Sequence, residues 1–507
     1  MTKMKIDMTT RRNVYRTLFI VGLFAMTVSH YWAAQETEAT TTMSGSLDDK
    51  LFEDWPKPKL LLIFTGFMNG YVEPCGCAGL ENMKGGLSRR LTFIEQLNEK
   101  NWPLLLIDGG NLNKGFGPQE EHKYSFVINE ALRFMNYQVV GIGNNELLLP
   151  TETLFNYTVK LTDVPRRHTS ANVALFAFDP DYTAPYFVVE KNGLKVGALS
   201  VISASLLKNI TNNEIMTAEA VPKIKELLPA INAEKCDKKV LIVHGTIAER
   251  DAILKNFPNV FDFVLYSDTQ AEPPFQPKMA EKTMLIDVGE KGKFAIGVGL
   301  FDDPQQPVRY QRIPLDKRFA NSPKITNAMQ FYQDELKRQG LEGLGIRPIP
   351  SNRLETNGKY VGSKSCADCH EPAHEVWKKS KHGNAWNSLA VTSKPARQFD
   401  PECIACHVVG WNPTESLPYE SGFLSEAKTP LLIDVGCESC HGPGEKHTKA
   451  EQGNDKNLQQ KFRQAVRLPI ENGVAKKNCI TCHDGDNSPH FNFDTYWPKI
   501  VHKETGE

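Results

Sequence analysis

Methionine is missing from the last third of this chain: all 12 stand at or before Met329. A metal centre beyond that point therefore has no thioether ligand to draw on. Neither sign of charge is in excess, since 59 Lys and Arg against 60 Asp and Glu leave a formal net charge of -1. Such a balance gives no hold on a polyanion, and nucleic acid is excluded as an expected partner. Cysteine is scarce through the first 360 residues, where only Cys75, Cys77 and Cys236 of the 11 occur. The apolar run near the N-terminus, Leu18 to Val28, is shorter than the roughly 20 residues of a full membrane span.

That short run follows a basic start of Lys3, Lys5, Arg11, Arg12 and Arg16. Residues 1–35 thus read as a signal peptide or an N-terminal membrane anchor. The Ala33-Ala34 region offers a cleavage site, although large residues, Tyr31 and Trp32, precede it. No cysteine follows the run, so a lipoprotein anchor is not supported. Residues 36–56 are mostly small and polar and read as a linker.

Residues 57–312 read as an α/β domain. Leu60 to Phe64, Leu104 to Ile107 and Val139 to Ile142 are short continuous apolar runs, the pattern of strands buried on both faces. Further strands are expected at 195–201, 240–243, 263–266, 283–288 and 294–300, with helices at 87–99 and 124–135. Polar or Gly-rich turns close several strands, where α/β sheets place their sites. Residues 313–355 form a helical linker, helical from Ile325 to Leu341 and then broken by Gly343 to Pro350.

The remaining segment, 356–507, carries four Cys-x-x-Cys-His runs: Cys366, Cys369 and His370; Cys403, Cys406 and His407; Cys437, Cys440 and His441; Cys479, Cys482 and His483. Two thiols at this spacing each form a thioether with a vinyl group of one porphyrin, and the adjacent imidazole reaches the iron. Paired zinc knuckles would leave all four histidines unexplained. The expected cofactors are therefore four covalent haem c groups, with His370, His407, His441 and His483 as proximal ligands. Five further histidines, His374, His382, His447, His490 and His502, are candidates for the distal positions. With no methionine available, bis-His ligation and low potentials are expected.

The α/β segment resembles the calcineurin-like metallophosphoesterases, nearest to bacterial 5′-nucleotidases, over roughly residues 57–312. The resemblance runs through Phe67 and Asn69, Gly110-Asn111, Gly143-Asn144-Asn145-Glu146, His244-Gly245 and Ser267-Asp268-Thr269-Gln270. It implies that Phe67, Asn69, Asn111, Asn145, Asp268 and Gln270 stand where that family keeps other metal-site residues. A dinuclear centre needs carboxylates and imidazoles, so this half is expected to be an inactive scaffold. Cys75-Gly76-Cys77 lies beside this site, and Cys75, Cys77 and Cys236 are candidates for a structural disulfide or a redox site.

The last segment resembles the tetrahaem cytochromes of ammonia-oxidising bacteria that accept electrons from hydroxylamine oxidoreductase. The matching residues are Tyr360-Val361-Gly362, Trp377 with His382, Cys406-His407-Val408, Gly436 to Gly444, and Phe491 to Asp494 followed by His502. The resemblance implies haem pairs His370–His447, His441–His382 and His483–His502. It also implies a five-coordinate haem on His407, unless His374 or His490 caps it. The function expected is periplasmic electron transfer, or electron transfer at the outer face of the membrane, with redox proteins as partners. The competing readings are a redox enzyme acting on a small nitrogen compound at an open second haem, and an active phosphoesterase fused to a cytochrome.

Overall fold

The computed structural model describes residues 50–502 apart from 75–82, 116, 163–164, 270–271 and 392–394. Residues 1–35, read as a signal peptide or anchor, and Cys75, Cys77 and Gln270 therefore lie outside the described residues. The chain divides into two compact units, Met1–Pro56 and Lys57–Glu507. In the first, the rings of Phe52 and Trp55 meet edge to face at 5.0 Å.

The second unit begins with two six-stranded sheets. One runs, edge to edge, through Val308–Pro314, Phe294–Leu300, Leu60–Thr65, Leu104–Asp108, Val139–Gly141 and His168–Thr169. The other runs through Lys278–Ala280, Thr283–Asp287, Phe263–Tyr266, Lys238–His244, Leu194–Ile202 and Phe187–Lys191. The apolar runs read from the sequence are the central strands of both. Leu62, Phe64, Ile107, Ile242, Leu265 and Val298 share one core cluster and are each at most 2 % exposed. Burying each side chain of this size contributes roughly 1.5–3 kcal/mol.

Leu60–Thr65, Leu104–Asp108, Val139–Gly141 and His168–Thr169 pair in parallel. So do Leu194–Ile202, Lys238–His244, Phe263–Tyr266 and Thr283–Asp287 in the second sheet. Parallel pairing brings the carboxyl ends of the strands to one side, which gathers their loops into a single site.

The helix Leu87–Glu99 falls where expected. The second expected helix begins earlier, at Glu120, and is interrupted by a π turn over Tyr124–Ile128. That turn holds Tyr124 against His168: the Tyr124 hydroxyl and His168 Nε2 are 2.7 Å apart, and His168 Nδ1 lies 3.2 Å from the Tyr157 carbonyl oxygen. Burial pushes the His168 pKa down to about 4. Above pH 6.5 neither folded nor unfolded chain carries this proton. Between about 6.5 and 4 only the unfolded chain takes it up, so stability falls as pH falls, by up to about 3 kcal/mol for this residue. Denaturant unfolding of the native protein and a His168→Gln variant should show their stability difference shifting against the native protein by that amount from pH 7 to pH 4.

The helix Pro323–Gly343, read from the sequence as a linker, is packed rather than spanning. Ile325, Met329, Tyr332 and Leu336 are buried, and the helix lies against Leu87–Glu99 and Glu120–Ile128. Its last turn breaks at Gly340, which has φ 61°.

The region after residue 355 is mainly helical, built of short segments, several of which start or end at the attachment runs, with one small two-stranded sheet of Trp411–Asn412 and Leu417–Pro418. Its apolar core is one small cluster around Trp386, Ile404, Val409, Trp411, Phe423 and Leu432. Beyond Leu432 the buried apolar side chains among those described are Pro443, Ala450 and Ala475. Three side chains this small cannot offset the conformational entropy of ordering some 70 residues, which costs about 1–2 kcal/mol each for the backbone alone. This stretch requires another apolar body to fold around.

Candidate functional site

The strand-end site of the α/β half is filled by its own side chains. Phe67 has a positive φ of 51°, a conformation that is an outlier for a bulky residue. Its ring lies 4.9 Å from that of His244. His244 is 1 % exposed, and burial pushes its pKa down to about 4. Around them the amides bond to one another. Asn111 Nδ2 donates to Asn144 Oδ1 at 3.1 Å, Asn144 Nδ2 to Asn145 Oδ1 at 3.0 Å, and Asn145 Nδ2 to Asn69 Oδ1 at 3.1 Å. Glu146 turns inward and accepts from the backbone N–H groups of Asn111, Leu112 and Gly143; burial pushes its pKa up to about 7. Asp268 stands apart at the end of Phe263–Tyr266, its N–H donating to Asp287 at 3.0 Å. Among the described residues no group of three or more His, Cys, Asp or Glu side chains is placed to hold a metal ion. Cys236 lies at the opposite, amino-terminal end of Lys238–His244, its Sγ 3.9 Å from the Ile231 carbonyl oxygen.

The histidine-rich half is arranged differently. Three proximal histidines each face a histidine from outside the attachment runs. His370 and His447 have ring centroids 6.2 Å apart and nearly stacked planes, His382 and His483 are 6.0 Å apart, and His441 and His502 are 5.8 Å apart. An iron about 2 Å from the ligating nitrogen of each of two imidazoles puts ring centres about 6 Å apart. The pairs thus fit a haem iron, and the missing apolar core beyond Leu432 fits the porphyrins around it.

The hydrogen bonds fix the same orientation. His407 Nδ1 donates to the Ala385 carbonyl at 2.7 Å, His441 Nδ1 to Val466 at 2.8 Å, and His502 Nδ1 to Ile500 at 3.2 Å. His483 Nδ1 shares a hydrogen bond of 2.8 Å with Ser488 Oγ. His447 Nδ1 only faces the Glu451 carboxylate at 3.7 Å, beyond hydrogen-bond length. A partner on Nδ1 sets the tautomer and leaves Nε2 for the metal. Burial holds His382, His407 and His483 below the usual imidazole range, which favours the neutral, ligating form.

Two of the pairings differ from those implied by resemblance. His382 meets His483 rather than His441, and His502 meets His441 rather than His483. The turn carrying His382 is pinned to the strand of chain before the third run, because Trp377 Nε1 donates to the Val435 carbonyl and Val435 N–H to that of His382. His374 lies against Trp377 at 5.1 Å, and His490 is exposed. The sequence reading also passed over Glu438. It is buried inside the third run and accepts from the N–H groups of Val361, Gly362 and Gly444 at 3.0, 2.7 and 2.8 Å. A carboxylate among otherwise small residues of an attachment run was the available signal.

The thiols sort the runs into neighbours. Cys366 lies close enough to Cys437, and Cys482 to Cys406, for the thiols of each pair to influence one another. Cys440 is close enough to Cys479 and Cys482 to interact electrostatically with both.

The runs also meet the α/β half. Lys123, 1 % exposed, donates to Glu120 at 2.6 Å and to Glu402 at 2.7 Å. Glu402 lies in Pro401–His407, the helix of the second run. Arg397 pairs with Glu73, and Lys291 and Lys293 both pair with Asp486, the latter at 2.9 Å.

Together these features define a c-type cytochrome module joined to an α/β sandwich. Comparison with known proteins agrees for the module. Residues 365–442 match the family model of cytochrome c554 and c-prime, a stretch that contains the first three runs. Cytochrome c-554 of Nitrosomonas europaea is 30 % identical over 161 residues, covering 28 % of this chain and 66 % of that protein. Covalently bound haem c follows from this match. For the sandwich, the 5′-nucleotidase precursor from Thermus thermophilus is similar at a TM-score of 0.45 and 16 % identity, covering 55 % of this chain and 59 % of that one. The calcineurin-like phosphoesterase YfkN from Bacillus subtilis is similar at 0.39 and 18 %, covering 54 % of this chain and 97 % of that one.

Proposed function

We propose that this protein is an exported electron carrier with four covalent haems, working in the periplasm or at the outer face of the cytoplasmic membrane between redox protein partners. The carrying observation is the set of three opposed histidine pairs about 6 Å apart, each joining an attachment-run histidine to one from elsewhere in the chain. Bound haem supplies the one-electron couple; the protein sets spacing, ligation and dielectric. His370, His441 and His483 hold iron from one side, and His447, His502 and His382 from the other. The thiol contacts support the order first, third, fourth, second for the four groups, a continuous chain between two ends.

His407 holds the second iron from one side, and its other face is open. Supporting this, His374 packs on Trp377 and His490 is exposed. Adding carbon monoxide to the dithionite-reduced protein should perturb the spectrum of one haem in four. Perturbation of none would mean that a further side chain caps that iron, and would leave no place for enzyme chemistry on a small nitrogen compound.

The α/β half serves as scaffold and not as a phosphoesterase. Neutral amides that satisfy one another, with Phe67 wedged against His244, support this reading. Calorimetry with manganese should give no binding heat attributable to the strand-end site, and nucleotides should not be hydrolysed at enzymatic rates. Turnover lost on His244→Ala would contradict it.

A further inference from the structure

The contact between the halves is charged, buried and next to the second attachment run. Lys123 sits at its centre, with Glu120 and Glu402 as hydrogen-bonded partners. Lys114 reaches Glu402 at 3.4 Å. Asp400, 3 % exposed, is the N-cap of the same helix and accepts from Gln333 Nε2 at 3.0 Å. Arg397 and Glu73 close the group on one side. The cations are Lys114, Lys123 and Arg397, and the carboxylates are Glu73, Glu120, Asp400 and Glu402. One carboxylate is therefore in excess.

From the helix Pro323–Gly343, Tyr332 points into this cluster. It is 0 % exposed, and its hydroxyl has no hydrogen-bond partner among the described residues; it senses Asp400, Glu402, Glu120 and Cys403 electrostatically. A buried hydroxyl without a partner costs about 1–3 kcal/mol, so it is retained here against stability. Glu402 is only partly covered, its side chain 29 % exposed, and offers the route to solvent.

Resting on the reading of His407 as an iron ligand, we propose that Glu120 and Asp400 form a proton-uptake site coupled to the second haem. When a one-electron donor reduces that iron from the ferric to the ferrous state, one proton from solvent bonds to a carboxylate oxygen of this pair. The charge gained as an electron is thereby neutralised within the buried interface. Burial already raises the pKa of both carboxyls, while Lys123 and Lys114 outweigh burial at Glu402 and hold it low. The excess negative charge thus falls on Glu120 and Asp400, and loss of a positive charge at an iron held by His407, at the far end of the helix that Asp400 caps, would raise their proton affinity further.

The test is a redox titration of the full haem-loaded protein, following the haem on His407, at several pH values from roughly 5 to 8. The reduced-to-oxidised ratio of that haem at fixed potential should fall up to tenfold per pH unit, which is 59 mV for a one-electron couple. Glu120→Gln and Asp400→Asn should flatten this slope and leave the other haems unchanged. An unchanged slope in both variants, or no slope in the native protein, overturns the proposal. Should either variant misfold, reduced-minus-oxidised infrared spectra of the native protein decide. A protonated-carboxyl band should grow on reduction and shift when Asp and Glu, but not haem, carry ¹³C. A band that does not shift assigns the proton to haem propionates and overturns the proposal. A chain with no haem on Cys403 and Cys406 would instead overturn the reading beneath it.

Discussion

His447→Ala should turn the haem bound through His370 from low-spin to high-spin and open it to carbon monoxide, adding one equivalent of ligand uptake to the reduced protein. The two rings face each other at 6.2 Å, so removing one leaves the iron with a single axial imidazole. Its potential should rise, by part of the roughly 0.8 V range that axial ligands command. The same substitution at His382 separates two assignments. The structure sets His382 against His483, so His382→Ala should alter the haem of the fourth run and leave that of the third untouched. A change confined to the third haem would restore the pairing implied by resemblance.

Lys123→Met should destabilise the folded chain by about 3–5 kcal/mol, the cost of leaving buried charges without their partner. The ammonium is 1 % exposed and bonds Glu120 within its own helix and Glu402 across the two halves. Removing it strands Glu120, which is 2 % exposed, and loosens the helix that carries Cys403, Cys406 and His407. Chemical denaturation should show the loss, and the visible spectrum of the second haem should change before those of the others. A variant as stable as the native protein would mean that solvent reaches this interface freely.

The strands were legible because continuous apolar runs of this length have little other use, and Leu60–Thr65, Lys238–His244 and Phe294–Leu300 all fall where the runs lie. The attachment runs were legible because thioether chemistry demands a fixed local spacing. The facing of the histidines was only half legible. Counting them narrows the candidates, but which ring faces which depends on contacts such as Trp377 with Val435, which join distant segments. The charged interface could not be read at all: Glu120-Glu121-His122-Lys123 looks like a solvated helix, and only the fold shows Lys123 buried against Glu402. Phe67 was visibly not a ligand, but that it adopts a positive φ and covers His244 is a property of the packed site.

The account stands most directly on the number of haems joined to the chain. Intact-mass measurement of the haem-loaded protein, after acid–acetone extraction of loosely held pigment, should give the polypeptide plus four haem additions, one for each pair Cys366 and Cys369, Cys403 and Cys406, Cys437 and Cys440, and Cys479 and Cys482. A mass showing no more than two additions, or haem released into the acetone, would contradict it.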